Sequence, residues 1–262
     1  MNLYRQEMKM NFKSFLIWVL CVGGMCFGCI LLYGSVESSL ADMGDLFSQM
    51  GAMSAAFGMD RLSIGTLSGY YATEIAMIHS LGGAMFAAML GSNLLSKEEF
   101  GHTVEFLAVL PISRRRIVCE KYLALLSYLV AFQVLCTISY IGGFAIMGDE
   151  IEMGHMVTLA LTQQLLLVEV GTICFCISAF FGKNMMGAGL GVALLFFTVD
   201  LMCRIVPAIE NLKYITPFYY CNATDIFTET EVPAGIFGIG IGITVLAMGL
   251  AHWQFSRKDF GA

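Results

Sequence analysis

The ionisable residue that stands out in this sequence is Glu169, because it lies within an apolar run long enough to cross a membrane. A carboxylate at that depth is costly and marks a functional site by default, so Glu169 is a candidate for lining a transport pathway. A structural role is the alternative, with the carboxylate bonded to Gln163, Gln164 or a residue of another helix. The sequence leaves both interpretations open.

Two other groupings have spacings that could do chemistry. Cys26-x-x-Cys29 has the spacing of a redox or metal-binding pair. However, it lies in an apolar segment without a nearby histidine, where cysteine serves as a small apolar residue. Asp200 and Arg204 are spaced i, i+4 near the end of another apolar run. We therefore expect a local ion pair there and no metal site anywhere in the chain.

The motifs of ATP hydrolysis are missing from the sequence. A P-loop needs G-x-x-x-x-G-K-[ST], because its lysine and hydroxyl contact the phosphates and Mg²⁺. The segment Gly182-Lys183-Asn184 lacks both the spacing and the hydroxyl. The sequence also contains no H-E-x-x-H and no supported Ser-His-Asp order. We expect no catalytic residues, so any ATP hydrolysis belongs to another polypeptide.

The composition indicates which elements must position these residues. Hydrophobic residues make up 58% of the 262 residues and charged residues only 13%, about half the share in soluble domains. A bilayer core needs about 20 residues of helix, and six apolar segments meet that length. They cover residues 14–34, 73–95, 122–148, 153–182, 184–206 and 232–253. The sequence therefore predicts a single all-α integral membrane domain, 1–262, with six transmembrane helices.

The distribution of charge predicts the orientation of these helices. Placing the N-terminus in the cytoplasm puts all but three of the 14 basic residues on that side, as the positive-inside rule requires. The exceptions are Arg61, Lys213 and Arg204. Both termini are then cytoplasmic, and residues 207–231 form an external segment. The net charge of −6 and the absence of a basic face argue against nucleic acid as a partner.

Residues 96–121 form the segment with the densest charge, SKEEFGHTVEFLAVLPISRRRIVCEK. From Glu98 to Leu110, polar side chains recur at helical spacing on one face and apolar side chains on another, and Pro111 ends the pattern. This predicts an amphipathic helix along the cytoplasmic surface, between the second and third transmembrane helices. The alternative is a solvated loop whose arginines only follow the positive-inside rule.

The same segment resembles the cytoplasmic loop of type-2 ABC exporter permeases. The matching positions are Lys97, Glu98, Gly101, Thr103, Glu105, Leu107, Pro111, Ser113, Arg114, Ile117 and Lys121. The sequence departs from the family at His102, which separates a glycine and a threonine that are more often adjacent. Residues 212–227, with Pro217-Phe218, and residues 255–260, FSRKDF, resemble two further segments of that family. The resemblance thus covers essentially the whole chain.

The resemblance implies that this loop is a coupling helix, which docks on a separate ATP-binding subunit. The implied docking residues are Lys97, Glu98, Glu99, Phe100, Gly101, Thr103, Glu105, Leu107, Pro111 and Arg114. Its glutamates could pair with basic residues of that subunit, and its apolar residues could fill a pocket. Two copies of the subunit would hold ATP and Mg²⁺, so this chain would bind no cofactor itself.

The resemblance also implies a second permease chain, identical or a sister protein, in a bacterial plasma membrane. Small residues allow close helix approach. Gly24 and Gly28 in the first segment, and Gly187 and Gly191 in the fifth, have the G-x-x-x-G spacing. Packing within one bundle is the alternative for these pairs, and also for Gly238-x-x-x-Gly242.

Three functions remain to be weighed at this point. The preferred one is the permease subunit of an ABC exporter, forming half of the translocation pathway. The second is an intramembrane protease or lipid-modifying enzyme centred on Glu169, although no paired catalytic group accompanies it. The third is a non-transporting sensor or assembly subunit with the same fold. The transported substrate does not follow from the fold.

Overall fold

The computed structural model describes residues 2–48, 50–101, 103, 112–230 and 233–258. These ranges are built from helices and connecting turns, with no strand among them. Six of their helical segments are long and apolar enough to cross a membrane. We name them the first to sixth spans: Leu3–Ala41, Leu67–Leu94, Arg114–Met147, Met153–Phe180, Met186–Ile205 and Gly235–Arg257. The prediction of an all-α membrane protein with six spans is therefore confirmed.

The first three spans are longer than the apolar runs that revealed them. The first belongs to a continuous helical segment of Asn2–Trp18, a π-helical stretch Val19–Gly24 and Met25–Ser48. The second combines Leu67–Tyr70, a π-helical stretch Tyr71–Ile75 and Ala76–Leu94. Polar residues beside the apolar runs are helical as well, so hydropathy alone places the start of each of these three spans, and the end of the first, too far inward.

Caps mark the ends of several helices. Ser113 precedes the third span, and its side chain accepts a hydrogen bond from the Arg116 amide, which satisfies a free N–H group at the helix start. The same span ends at Gly148, whose φ of 74° favours glycine. Thr66 caps the second span in the same way, accepting from the Gly69 amide.

Short helices connect the spans. They are Ala52–Phe57 after the first span, Lys97–Phe100 after the second, and the 3₁₀ helices Pro207–Tyr214 and Tyr219–Cys221 followed by Ala223–Phe227 after the fifth. The last helix runs from Ala234 to Arg257 and contains the sixth span.

The second and fourth spans form the centre of the bundle and are its most buried helices. They approach closely at Gly91, where any side chain would collide with the backbone carbonyl of Gly171. The fifth span packs on the second, the sixth on the fourth, and the first on the third. The fifth and sixth spans are the least buried, so their outer faces are available to lipid or to another chain.

Candidate functional site

The loop after the second span contains most of the residues singled out in the sequence, and the structure describes its two ends. The chain forms one helical turn, Lys97–Phe100, soon after the second span, and the third span begins at Arg114. Most of the helix predicted from Glu98 to Leu110 lies outside the described residues. Three of the predicted docking residues fall in that part: Glu105, Leu107 and Pro111.

A buried ion cluster ties the start of this loop to the first and third spans. Lys121 of the third span is fully buried, and its Nζ lies 3.0 Å from Oε1 of Glu7. The same ammonium contacts the carboxylate of Glu98 and donates to the carbonyl oxygen of Leu94. A buried charge is tolerated only with such partners, so Lys121 holds Glu7 and Glu98 in place.

Lys97 completes the cluster by pairing with the second oxygen of the Glu7 carboxylate. Burial and the neighbouring Lys121 ammonium lower the pKa of Lys97, and the Glu7 carboxylate opposes that shift. The cluster of Glu7, Lys97, Glu98 and Lys121 has equal numbers of carboxylates and ammonium groups. Its net charge is therefore zero, which limits the cost of burying it.

The next loop residue, Glu99, is tied to the C-terminal end of the described chain. Its Oε1 lies 2.8 Å from Nζ of Lys258, which also donates to the carbonyl oxygen of Ala179 at 3.2 Å. The guanidinium of Arg114 donates to the carbonyl oxygen of Lys258. Gly182 packs so closely on the Glu99 carboxylate that a side chain there would collide with it. The loop start is thus joined to the third and fourth spans.

These contacts change the interpretation of the two glutamates. We expected Glu98 and Glu99 to pair with basic residues of a partner protein, and they instead pair with Lys121 and Lys258 of the same chain. The aromatic side chain of Phe100, by contrast, is 57% exposed. Within the described turn Lys97–Phe100, the side chain open to a partner is therefore apolar rather than acidic.

A second ion network lies at the C-terminal end of the fifth span. Asp200 and Arg204 form the local pair predicted from their i, i+4 spacing, with hydrogen bonds of 2.9 and 3.2 Å. Asp225 extends it, because Arg204 and Arg61 both contact its carboxylate, at 3.4 and 2.6 Å. The network joins the fifth span to the segments that follow the first and fifth spans.

Glu169 is buried in the fourth span and accepts a hydrogen bond of 2.8 Å from the hydroxyl of Tyr220. Tyr220 lies in the segment after the fifth span. Gly240 of the sixth span packs directly against the carboxylate. The partner of Glu169 is therefore a residue of another element, one of the alternatives predicted, and not Gln163 or Gln164.

A third polar centre, which we did not predict from the sequence, links the second, third and fourth spans. His79 is buried, with Nδ1 2.8 Å from the hydroxyl of Tyr140 and Nε2 3.1 Å from Oε1 of Gln133. Gln133 donates to Oε1 of Gln163 at 3.3 Å, and Gln163 donates to Oγ of Ser80 at 3.0 Å. These polar residues stand out within apolar spans, and that was the signal available in the sequence.

The directions of these hydrogen bonds assign the tautomer of His79. Gln133 presents its oxygen to the ring, so Nε2 carries the hydrogen and Nδ1 accepts from Tyr140. A neutral imidazole satisfies both partners. The amide groups of Gln133 and Gln163 interrupt this series of hydrogen bonds, and amides do not relay protons as hydroxyls do. We therefore assign the hydrogen-bonded series a structural role, which is to hold three spans in register.

The glycines predicted to pack at a chain–chain interface lie on the outer surface of the bundle. Apart from the chain neighbours and the backbone of the same helix, no described atom comes within 4 Å of the position that a Cβ would take at Gly24, Gly28, Gly187 or Gly191. These glycines therefore make no close helix contact within the described parts of the bundle, and their faces are open.

The cysteine pair is also accounted for by packing. Cys26 is buried, and its sulfur lies 3.8 Å from the carbonyl oxygen of Ile75. Within the described ranges, no three His, Cys, Asp or Glu residues are placed to hold a metal ion.

Comparison with known proteins agrees with this architecture. Residues 1–260 match the family described as ABC-2 family transporter protein. The chain is also 24% identical, over 165 residues, to the uncharacterized protein YhcI of Bacillus subtilis (strain 168), a match that covers 55% of this chain and 52% of YhcI. The chain thus spans about half the length of that curated relative. Because the family match covers nearly every residue, and six helices are long and apolar enough to cross a membrane, the chain belongs to the ABC-2 family of transporters and is a multi-pass membrane protein.

Proposed function

We propose that this permease forms half of the translocation pathway of an ABC exporter, and that a separate ATP-binding subunit drives it through the loop 96–121. The main support is the placement of the loop start. Two sets of ion pairs tie it to other elements, through Lys121 and Lys258, and leave Phe100 exposed. A force applied to this loop would therefore reach several spans together.

The docking contact that we propose has an apolar anchor. Exposed aromatic side chains are common anchors of protein interfaces, with charged residues around them. Phe100 fills that role in the described part of the loop. Gly101 follows it in the chain, and Arg114 belongs to the same segment that the family resemblance assigns to docking. Glu98 and Glu99 act in this proposal through their ion pairs with Lys121 and Lys258, which fix the orientation of Phe100.

The remaining parts of the assembly follow from the same proposal. A second permease chain pairs with this one, and the open glycine faces of the first and fifth spans provide a surface for close helix contact. Two ATP-binding subunits hold ATP and Mg²⁺, so this chain contributes no cofactor site. The membrane is the bacterial plasma membrane, with both termini in the cytoplasm, as the charge distribution favours.

Affinity purification from the native host tests the proposal. The chain carries a C-terminal tag, is extracted in mild detergent, and its partners are identified by mass spectrometry. We expect a P-loop ATPase with the wild-type protein. Phe100→Ala should reduce its recovery about tenfold or more. Phe12→Ala is the matched control, because Phe12 is 55% exposed but lies on the N-terminal helix.

The possible outcomes distinguish the proposed function from the proposed docking site. Wild-type protein that is folded and abundant but recovers no ATPase contradicts the proposed function. An ATPase that both variants retain equally leaves the function standing and contradicts the docking role of Phe100.

A further inference from the structure

The N-terminal helix, Asn2–Trp18, presents a stripe of basic side chains at its surface. Arg5, Lys9 and Lys13 are spaced i, i+4, i+8, so they lie one above another on the same side of the helix. All three are exposed, and a hollow beside them is lined by Arg5, Gln6, Lys9 and Met10. None of the three forms an ion pair with any residue that the structure describes.

The opposite side of this helix is fixed to the rest of the protein. Glu7 is buried in the ion cluster with Lys97 and Lys121. The Tyr4 amide donates to the carboxylate of Glu120 at 3.1 Å. The hydroxyl of Tyr128 donates to the backbone carbonyl oxygen of Met8. The helix therefore cannot turn its basic stripe inward, and the three cations stay at the surface.

An apolar stripe begins where the basic stripe ends. Phe12, Leu16 and Leu20 are exposed at i, i+4, i+8, on the row next to Arg5, Lys9 and Lys13. Apolar side chains exposed on a membrane span face the acyl chains of lipids. Lys13 is one residue from Phe12, so the basic stripe starts at the edge of the acyl region and continues away from it. That is the level of the lipid headgroups.

We propose that Arg5, Lys9 and Lys13 form a binding site for the headgroups of anionic phospholipids. Three cations without an ion-pair partner among the described residues, beside a lipid-facing apolar row, match a ligand that combines a phosphate-bearing headgroup with acyl chains. The bound lipids hold the N-terminal helix at the membrane surface. Through Glu7, that helix is attached to the base of the loop 96–121. The site is independent of any ATP-binding partner.

Native mass spectrometry of the purified full-length chain tests this site. The protein is titrated with dioleoylphosphatidylglycerol and, separately, with dioleoylphosphatidylcholine, and bound lipids are counted. Each basic residue near a membrane surface strengthens binding of anionic lipid about fivefold. We therefore expect wild-type protein to prefer the anionic lipid, and Arg5→Gln/Lys9→Gln/Lys13→Gln to bind it on the order of 100-fold more weakly. High salt should weaken binding to the wild type.

The control variant removes three positive charges at positions outside the basic stripe. Arg115→Gln/Lys183→Gln/Arg257→Gln changes three exposed basic residues that lie outside the stripe, and it should keep the preference. Lys9→Gln alone should weaken binding about fivefold, which keeps the test valid if the triple variant misfolds. Equal losses in both triple variants, or a wild type that binds both lipids alike, would overturn the site and leave only general charge anchoring.

Discussion

Glu7 and Lys121 are 114 residues apart in the sequence, yet Oε1 of Glu7 lies 3.0 Å from Nζ of Lys121 and both side chains are buried. This pair joins the N-terminal helix to the third span at the level where the loop 96–121 begins. Glu98, the loop residue that meets the same ammonium, is thereby part of one block with both helices.

Replacing Lys121 with methionine should destabilise the protein strongly. The substitution leaves Lys97 as the one cation of the cluster for the two carboxylates of Glu7 and Glu98, and breaking a buried pair in this way costs about 3–5 kcal/mol. We expect a clear fall in Tm in detergent. Adding Glu7→Gln to Lys121→Met should recover part of the loss, because it removes the excess negative charge of the cluster.

The control for Lys121 is an exposed pair on the same span. Arg116 contacts Glu120 at 2.8 Å, and the Arg116 side chain is mostly exposed. Arg116→Met should cost less than about 1 kcal/mol, as exposed pairs do. Equal losses at positions 116 and 121 would show that the buried cluster has no special role.

Tyr220→Phe should destabilise the protein through Glu169. The substitution removes only the hydroxyl, which donates the 2.8 Å hydrogen bond to the buried carboxylate. An acceptor buried without its donor costs about 1–3 kcal/mol. The matched control is Tyr214→Phe, since Tyr214 is exposed in the same segment. A Tm unchanged by Tyr220→Phe would mean that Glu169 has another partner, and its candidacy for the transport pathway would gain weight.

Two glycines of the sixth span should respond differently to alanine. A methyl group at Gly240 would collide with the Glu169 carboxylate. A methyl group at Gly238 would point into open space, with no described side chain or neighbouring helix within 4 Å. Overpacking of a filled site costs about 1–3 kcal/mol, and alanine in an open helix position is favourable by up to about 1 kcal/mol. Gly240→Ala should therefore lower the Tm and Gly238→Ala should leave it unchanged or raised. Identical shifts would contradict the packing of Gly240 on Glu169.

The sequence predicted those features that one helix determines by itself. Six spans follow from the length of the apolar runs, and the pair of Asp200 and Arg204 follows from i, i+4 spacing in one helix. The ends of the spans were less predictable. The first helix extends from Asn2 to beyond the predicted span 14–34, because helical segments outside the membrane need not be apolar.

Contacts between helices could not be predicted in the same way. From the sequence, Glu98 was expected to pair with a residue of a partner protein. Its actual partner, Lys121, lies on the third span, and the rotation of that span decides whether the two side chains meet. Likewise, Glu169 and Tyr220 are 51 residues apart. Pattern identifies a polar residue that needs a partner, but only the packing of the helices shows which residue supplies it.

The open glycines of the fifth span predict the effect of bulky side chains on pairing of two permease chains. Gly187→Leu/Gly191→Leu places large groups on a face that we assign to the second chain. It should raise the Kd of dimerisation about tenfold, a change of about 1.4 kcal/mol. Gly142→Leu is the control, since Gly142 of the third span is also open. Single-molecule photobleaching in nanodiscs measures the dimer fraction. Equal dimer fractions in all variants would exclude this face.

The hydrogen-bonded chain through His79 should stabilise the second and third spans against separation. His79→Phe keeps the ring volume but leaves the buried hydroxyl of Tyr140 and the Gln133 oxygen without the ring nitrogens they bond. Such unpaired groups cost about 1–3 kcal/mol, although hydrogen bonds within membranes average nearer 0.6 kcal/mol. We therefore expect a fall in Tm corresponding to about 1–2 kcal/mol. His155→Phe, next to the exposed Glu152, should have a smaller effect. A larger loss at His155 would show that the buried chain contributes little, and that the apolar surfaces alone hold these spans together.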